Sequence, residues 1–407
     1  MDNRTYGIFS IPVIVGALGY FVDIYDLLLF GIIRKSSLAS LGLTPAEVLT
    51  QGEFIISIQM IGLMLGGILW GVLGDKKGRL SVLFGSILLY SLANIANGMV
   101  QTVEQYALLR FIAGVGLAGE LGAGITLVSE LLSKEKRGIG TSMVAGIGLT
   151  GAVVAYFISK EFDWRICYYI GGGMGFLLLL LRVSVFESGM FKEVKAMKVS
   201  KGNFFAFFTS KHRFFTYIKC ILIGLPTWFV IGVLVTFSDK FGLEFGIEDI
   251  IEPGKAIMFA YVGISLGDVT IGLVSQWLKS RKKALYIFYV LTMVCMALFF
   301  SQKGGTSLNM YLICGGLGFA TGFWAIFVTI AAEQFGTNLR ATAATTVPNM
   351  VRGALPLIIL LFKWLRENTN YITGGIITGS LIMVITWIAA FYTKETFGKD
   401  LQYIEPI

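Results

Sequence analysis

Long runs of apolar residues alternate with short polar stretches along this chain. A helix that crosses a bilayer needs roughly 20 apolar residues at about 1.5 Å each, and twelve runs reach about that length. Their continuity excludes transmembrane β-strands, which alternate apolar and polar residues over about 10 positions. The pattern therefore predicts an all-α membrane protein with twelve transmembrane helices. The predicted spans are 8–33, 51–74, 80–100, 103–132, 138–159, 164–186, 213–238, 254–279, 281–300, 307–334, 340–365 and 370–393.

The composition supports this prediction. The chain has 407 residues, of which 55% are hydrophobic and 14% are charged, and its mean hydropathy is +0.76. A soluble domain of this size needs more charge to cover its surface. Only Arg4 precedes the first span, which is longer than the apolar core of a signal peptide and contains two aspartates. We therefore expect this span to be retained.

Lysine and arginine are concentrated in alternate loops, such as the one that holds Lys76, Lys77 and Arg79. Cytoplasmic loops carry an excess of these residues. The bias predicts that both termini lie in the cytoplasm, with the protein in a bacterial inner membrane. Because the basic residues are spread over several short loops, the net charge of +8 reflects topology and does not indicate nucleic-acid binding.

One long polar connection, 187–212, divides the spans into two sets of six. We therefore predict an N-terminal six-helix bundle over 1–186, a cytoplasmic linker over 187–212 and a C-terminal six-helix bundle over 213–407. Pseudo-symmetric halves of this kind are typical of secondary transporters, whose binding site lies between the halves near mid-membrane.

The two halves also share a charge pattern. Glu130 stands seven residues before Arg137, and Glu333 stands seven residues before Arg340, in each case near the cytoplasmic end of a predicted span. The equivalent placement indicates an internal repeat.

A run of glycine and charge joins the second and third spans. Gly71, Asp75, Gly78 and Arg79 resemble the loop motif G-x-x-x-D-R-x-G-R-R of the major facilitator superfamily, from which Leu80 departs at the last basic position. The resemblance implies two helical bundles that alternate access to a central site. It also implies gating roles at the cytoplasmic face. The residues expected to gate are Gly71, Asp75, Gly78, Arg79, Glu120, Glu130, Arg137, Glu333 and Arg340.

Ionisable residues inside predicted spans are candidates for function, because a charge at membrane depth is costly. Asp23 and Asp26 lie three residues apart on one face of span 1, where burial and mutual repulsion favour the protonated form of at least one carboxyl. Asp26 and Arg110 lie at similar depths, about 10 Å and 9 Å. A pair between them is therefore allowed. Either aspartate is a candidate proton carrier, and a static Asp26–Arg110 bridge is the alternative.

The segment Asp23-Ile24-Tyr25-Asp26 resembles the Asp-Gly-Tyr-Asp of aromatic-acid and sialate proton symporters. The Trp-Tyr-Asp of metabolite:proton symporters aligns with Ile24-Tyr25-Asp26, and both comparisons select Asp26. The resemblance implies that this acid and Arg110 couple protonation to substrate binding, and that Tyr25 contacts substrate. Ile24 departs from the symporters' glycine.

The second half has its own charges inside spans. Asp268 and Arg352 lie about 16 Å and 18 Å from the cytoplasmic end of their spans. Arg352 has a planar fork suited to a carboxylate or phosphate, and the neighbouring Pro348 and Asn349 indicate an irregular helix that faces a cavity. We expect Arg352, Asn349 and Asp268 to contact substrate, with a structural Asp268–Arg352 bridge as the alternative.

Further polar and aromatic residues fall on spans that line the cavity in the superfamily. Trp228, Trp324 and Gln59 are candidates to bind substrate, although such tryptophans also serve as packing residues or interfacial anchors. Glu53 lies near the end of its span, where water would solvate it. Glu120 lies about 24 Å from the periplasmic side, which favours a contact at the cytoplasmic gate.

Nothing in the sequence indicates a cofactor, a metal site or an enzyme. Cys167, Cys220, Cys295 and Cys314 are isolated, His212 lies in a polar loop, and no His-Glu-x-x-His zinc motif occurs. The expected ligands are protons and a small molecule, and we expect the chain to act as a monomer within the lipid bilayer.

The function predicted from these features is proton-coupled uptake of a small anionic metabolite by alternating access. Span 5 lacks the Gly-Pro pair that is typical of drug antiporters in the superfamily, which favours uptake. An exporter or antiporter of a siderophore, drug or metabolite is the alternative within transport. A transporter-like nutrient sensor is an alternative of another class.

Overall fold

The protein is helical throughout the residues that the computed structural model describes, which are 9–77, 79–120, 144–187 and 204–398, and no strand occurs in them. The first half contains α1 (Ile11–Ser40), α2 (Pro45–Lys77), α3 (Arg79–Asn97), α4 (Val103–Leu117), α5 (Gly151–Glu161) and α6 (Trp164–Glu187). The second contains α7 (Lys211–Phe229), α8 (Ser238–Glu244), α9 (Pro253–Trp277), α10 (Arg281–Phe300), α11 (Ser307–Ala320), α12 (Trp324–Gln334), α13 (Thr337–Gly353), α14 (Leu355–Asn368) and α15 (Tyr371–Phe391).

Ten helical segments of the described chain are long and apolar enough to cross a membrane. The prediction of an all-helical, multi-pass membrane protein is thereby confirmed. The third predicted span corresponds to a shorter apolar helix, Val82–Asn97. The fourth corresponds to α4 and continues beyond the described residues, so the count of twelve stays a prediction.

Local sequence sets where several helices begin. At the start of α2, Thr44 and Glu47 form a capping box: the Thr44 amide donates to Glu47 Oε2 at 2.8 Å, and the Glu47 amide donates to Thr44 Oγ1 at 3.4 Å. Pro45 occupies the first helical position, where its missing N–H costs nothing. At α15, Asn370 Oδ1 accepts from the Thr373 amide at 2.8 Å.

Three membrane segments of the second half are irregular near their middle. The first is a π-helix at Val230–Val235, which follows Pro226 directly after α7. The second is the break at 321–323 between α11 and α12, and the third is Ala354 between α13 and α14. Non-helical backbone at membrane depth is tolerated only where protein or a cavity surrounds it. These breaks therefore mark the interior of the second half.

The two halves pack their helices in the same order. In the first half α2 packs on α4 and α3 packs on α6, and in the second α9 packs on α11 and α10 packs on α15. Between the halves, α2 lies against α13 and α14, and α5 and α1 lie against α9. The repeat predicted from the charge pattern thus has a counterpart in the packing.

Ion pairs join the halves where α1 ends and α2 begins, which we call the outer end. Glu53 of α2 receives two hydrogen bonds from Arg366 of α14, one of them 3.0 Å from Nη2 to Oε2, and both side chains are largely buried. Burial of Glu53 differs from the solvated position expected for it.

Two further ionic contacts join the halves at the outer end. Asp239 of α8 lies 2.6 Å from Lys35 Nζ and 3.8 Å from Arg34 Nη2 of α1. Lys160 of α5 pairs with Glu252 at 2.5 Å, with both side chains about half exposed. In this conformation the halves are therefore closed against each other at the outer end.

The opposite end, where α2 meets α3, is the inner end. There Glu395 accepts hydrogen bonds from the amides of Arg281 and Lys282 at 3.0 Å and 3.2 Å, and from the Ser280 hydroxyl. Partial burial raises the pKa of Glu395, but hydrogen bonds, that from Ser280 first, outweigh it and the pKa falls below its usual value. The chain after α15 is thereby fixed to the start of α10.

Candidate functional site

Arg110 of α4 is fully buried in the first half and is surrounded by acceptors. Its Nη1 lies 3.1 Å from Asp26 Oδ1 and 3.1 Å from Asn94 Oδ1, and its Nη2 donates to the Asp26 carbonyl at 3.1 Å. Its Nε donates to Gln59 Oε1 at 3.3 Å. The guanidinium also lies over the ring of Tyr168, 5.4 Å from the centroid. The pair predicted from helix depth is present, and each nitrogen of this guanidinium has at least one acceptor.

Two predicted substrate contacts belong to the interior of the same half. Tyr25 is fully buried, and its hydroxyl donates to the Cys167 carbonyl of α6 at 2.9 Å. Gln59 accepts from Arg110 and donates through Nε2 to the Leu27 carbonyl at 3.1 Å. Both side chains therefore brace helices in this conformation, and their contact with substrate stays a prediction.

A second buried ion pair lies in the first half. Arg182 of α6 donates from Nη1 to Glu120 Oε2 at 3.1 Å and makes a second, shorter contact from Nη2 to Oε1. Both side chains are almost fully buried. The sequence analysis did not select Arg182, because it lies four residues from the predicted end of span 6, where arginine side chains commonly extend to the interface. The five leucines that precede Arg182 were the feature of the sequence that could have shown this arginine to be buried.

Asp23 differs from the other acids of its half. It is fully buried in α1, and neither carboxylate oxygen has a hydrogen-bond partner among the described residues. The guanidinium of Arg352, in the opposite half, attracts this carboxylate, whereas Glu120 and Asp26 repel it. A buried unpaired carboxylate costs several kcal/mol unless it binds a proton or a cation. Asp23 is therefore the buried acid of this half whose carboxyl group is free to bind a proton or a cation.

Arg352 of α13 lies between two indole rings in the second half. Its Cζ is 5.8 Å from the ring centroid of Trp228 and 5.7 Å from that of Trp324, and the two rings meet edge to face with centroids 6.4 Å apart. All three side chains are at least nine-tenths buried. We call Arg352, Trp228 and Trp324 the arginine cage.

The arginine cage stands beside the backbone breaks of the second half. Trp228 lies two residues before the π-helix, Trp324 begins α12 after the break, and Arg352 is the last residue but one of α13. No described carboxylate forms an ion pair with Arg352, and its one described hydrogen bond runs from Nη1 to Asn349 Oδ1 at 3.3 Å. Arg352 Nε and both indole N–H groups have no described partner. The cage thus offers hydrogen-bond donors and positive charge.

Asn349 and Asp268 support the cage. Asn349 Nδ2 donates across the interface to the carbonyl of Ala118, the C-cap of α4, at 3.0 Å, so it connects Arg352 to the first half. Asp268 Oδ1 accepts from the Ala325 amide at 3.0 Å and so caps the start of α12. The alternative of a direct Asp268–Arg352 bridge is wrong for this conformation, because the break in span 10 turns free amides toward Asp268.

Three of the predicted gating residues have contacts that the structure describes, in addition to Glu120. Gly71 packs against α13, where an added Cβ would lie 3.4 Å from Thr346. Glu333 lies 3.4 Å from Arg281 and accepts from the Thr396 hydroxyl, and Arg340 donates to the Phe335 carbonyl at 3.4 Å.

The remaining gating residues cannot be placed by their side chains. Asp75 lies in α2 and Arg79 begins α3, but their side chains lie outside the description. Gly78, Glu130 and Arg137 lie outside the described residues altogether. The cytoplasmic network expected from the motif therefore stays a prediction.

The cross-half pairs at the outer end were also missed. Arg34, Glu53 and Arg366 lie near the ends of their spans, and of these the sequence analysis considered only Glu53, which it expected to be solvated. Their partners come from the other half of the chain, and neither spacing nor periodicity specifies such contacts. An acid or base near the outer end of α1, α2, α5 and α14 was the available signal.

Comparisons with known proteins agree with this architecture. Residues 13–360 match the family model described as Major Facilitator Superfamily. A solved structure of a proton:xylose symporter of that superfamily, bound to 6-bromo-6-deoxy-D-glucose, superposes with a TM-score of 0.70 at 17% identity and covers 97% of both chains. At that identity the likeness concerns the fold alone.

Several curated relatives are named as transporters of small acids. The niacin transporter of Acinetobacter baylyi is 26% identical and covers 99% of this chain and 98% of its own length. The gentisate transporter of Corynebacterium glutamicum is 24% identical, with coverage of 95% and 88%. The 3-(3-hydroxy-phenyl)propionate transporter of Escherichia coli K12 is 27% identical, with coverage of 86% of both chains. These relatives are all named as transporters of small metabolites, and none of them is named as an enzyme.

Proposed function

This chain belongs to the Major Facilitator Superfamily, and from that premise we propose that it carries a small aromatic monocarboxylate into a bacterial cell together with a proton. Twelve transmembrane helices in two six-helix halves, 1–186 and 213–407, rock about a central site, and the linker 187–212 and both termini face the cytoplasm. The protein lies in the inner membrane and acts as a monomer.

The observation that carries this proposal is that each half buries one charged group without an ion-pair partner, Asp23 in the first and Arg352 in the second. One half presents a buried carboxylate with no described partner, and the other presents a buried guanidinium with no described carboxylate. A substrate carboxylate that binds Arg352 would replace the attraction of Asp23, which would then be stabilised by a proton. Substrate and proton therefore favour each other's binding, as symport requires.

Asp26 is less suited to carry the proton. Its Oδ1 and its backbone carbonyl both accept from Arg110, so a proton on the unpartnered Oδ2 would neutralise the carboxylate of an existing ion pair. We assign to the Asp26–Arg110 pair the role of holding α1 against α4, and through α1 the position of Asp23. Besides burial, the charged groups that act on the Asp23 carboxylate are Arg352 of α13, Glu120 after the end of α4, and Asp26 of its own helix.

The substrate class rests on the cage and on the relatives. Arg352 provides a fork for a carboxylate, and two tryptophan rings provide flat apolar surfaces beside it. Relatives are named for niacin, gentisate and 3-(3-hydroxy-phenyl)propionate, each of which contains an aromatic ring and a carboxylate. A compact aromatic acid therefore fits both lines of argument.

Reconstitution into liposomes tests the proposal. Uptake of nicotinate, gentisate, benzoate and 3-(3-hydroxyphenyl)propionate is measured with and without an inward proton gradient. We expect at least one of these acids to accumulate against its gradient when the outside is acidified. Asp23→Asn should abolish accumulation driven by the proton gradient and retain exchange of substrate across the membrane. Glu248→Gln, which removes an exposed carboxylate, should behave as the parent protein.

Two results would contradict the proposal. Full accumulation by Asp23→Asn would show that this residue does not carry the proton. Accumulation only in inside-out vesicles would reverse the direction and favour an exporter.

A further inference from the structure

Three buried donors of the arginine cage have no described acceptor. They are Arg352 Nε and the indole N–H groups of Trp228 and Trp324. Buried polar groups in folded proteins almost always have a hydrogen-bond partner, and each exception needs an explanation. Guanidinium and indole groups can only donate. Whatever occupies the cage therefore has to bring acceptors.

The three donors do not lie in one plane. A carboxylate that meets the guanidinium fork lies in the plane of that group, with two parallel hydrogen bonds. The two indole planes are inclined to each other by 73°, and each indole N–H lies in its own ring plane. A second acceptor on the ligand, outside the carboxylate, would serve an indole N–H that the fork-bound carboxylate does not reach.

Protonation reduces what the first half can offer as an acceptor. Asp23 and Tyr20 of α1 are buried side chains that interact electrostatically with Arg352, and a proton takes one acceptor site of Asp23 and turns it into a donor. Glu120, which follows the C-terminal end of α4, has both carboxylate oxygens engaged by Arg182. A substrate that brings its own acceptor would therefore satisfy the indole donors without drawing on these groups.

We propose that Trp228 and Trp324 determine specificity by donating an indole N–H to a second acceptor on the substrate ring, such as a pyridine-type nitrogen or a hydroxyl oxygen. The inference rests on the proposed function and narrows its substrate class. The transported molecule is a flat ring that bears a carboxylate and, away from it, at least one further acceptor. An acid whose ring carries only C–H groups leaves the indole donors unsatisfied and is rejected.

Paired ligands of equal shape test this inference on the purified full-length protein. Nicotinate and benzoate differ by one ring atom, nitrogen against C–H, and 3-hydroxybenzoate adds a hydroxyl. Binding is measured by isothermal titration calorimetry at a pH where all three acids are ionised. We expect nicotinate or 3-hydroxybenzoate to bind at least tenfold more tightly than benzoate.

Single variants then locate the discrimination. Trp228→Phe and Trp324→Phe remove one donor each and keep an aromatic ring, so at least one of them should reduce the affinity ratio to below about threefold. Trp387→Phe is the matched control. Trp387 is also an indole with no described partner for its N–H, but it stacks on Tyr286 of α10, with centroids 5.0 Å apart. The ratio should be unchanged in this variant.

The outcomes separate this inference from the proposed function. Equal affinities for the three acids, no binding of any of them, or an unchanged ratio in both cage variants would overturn the specificity role of the indoles. Proton-driven uptake that depends on Asp23 could persist in the first and third cases, and the proposed function would then stand. Loss of proton coupling with a retained affinity ratio would overturn the proposed function alone.

Discussion

Arg110 and Arg352 are both fully buried at membrane depth, one in each half, yet their surroundings differ. Arg110 has hydrogen bonds to Asp26, Asn94 and Gln59 and lies over Tyr168. Arg352 has one described hydrogen bond, to Asn349, and lies between two tryptophans. A saturated charge holds helices together, whereas an unsaturated one is available to a ligand. Burial of a charge therefore does not identify a binding residue until its partners are counted.

The helices around the two arginines differ in the same way. Arg110 contacts α1 and α2, which run without interruption for 30 and 33 residues. Arg352 lies among segments that are broken or widened beside each cage residue. Regular helices leave no backbone group free, so the polar side chains of the first half must satisfy one another. Broken helices expose amides and bring side chains of three segments to one point.

The largest effect that this comparison predicts is on stability. Arg110→Gln leaves the buried carboxylate of Asp26 without its cation and should destabilise the protein by about 3–5 kcal/mol, seen as a lower melting temperature in detergent. The double variant Asp26→Asn with Arg110→Gln should recover part of that loss, because no buried charge is left. A double variant less stable than Arg110→Gln alone would show that Asp26 is not the group left uncompensated.

Arg352→Gln should have the opposite profile. The loss of a buried charged contact with ligand corresponds to about 2–5 kcal/mol, or roughly 30-fold to several-thousand-fold in affinity for an aromatic acid. Stability should change less than in Arg110→Gln, since no described carboxylate forms an ion pair with Arg352 and only its longer-range attraction of Asp23 is lost. Arg352→Lys keeps the charge without the planar fork and should be intermediate. Calorimetry with nicotinate measures the affinity of each variant, and a melting curve measures its stability. Unchanged affinity in Arg352→Gln would remove the contrast between the two arginines.

The sequence alone was sufficient to predict the Asp26–Arg110 pair, but it was not sufficient to predict that the arginine cage would form. The Asp26–Arg110 pair follows from depth along two regular helices, which a rise of about 1.5 Å per residue predicts well. Arg352, Trp228 and Trp324 were each selected, but their meeting depends on backbone breaks. The break before Trp324 lies in an apolar run with no proline, so periodicity did not reveal it.

Pairs between distant segments were the other failure. Asp268 was expected near Arg352 because the two share a depth, whereas the structure uses Asp268 to cap α12. Glu120 was selected without Arg182, its partner. Depth constrains position along the membrane normal, but position around the bundle depends on packing, which no single sequence displays.

The contacts between the halves extend the comparison from buried and unpaired charges to buried and exposed ion pairs. These contacts must break when the outer end opens during transport. Glu53→Gln weakens a largely buried contact with Arg366 at the outer end, worth about 1.5–3 kcal/mol for a hydrogen bond to a charged group. We expect faster hydrogen exchange at the start of α2 and the end of α14. Lys160→Gln disrupts the exposed pair with Glu252, where such pairs contribute little, and should leave exchange almost unchanged. Equal responses of the two variants would show that burial does not distinguish these contacts.

The smallest effect concerns the close approach of α2 to the helix that carries Arg352. A Cβ at Gly67 would lie 2.7 Å from the Cβ of Asn349, whereas a Cβ at Gly71 would meet only Thr346, at 3.4 Å. Gly67→Ala should therefore push α13 away, at the low end of the about 1–3 kcal/mol that overpacking costs, and weaken the Asn349 bond to the Ala118 carbonyl. Transport should slow by a few fold, while Gly71→Ala stays near the parent rate. Because Asn349 also holds Arg352, Gly67→Ala should weaken nicotinate binding as well, and a slower rate with unchanged affinity would separate closure of the halves from the cage.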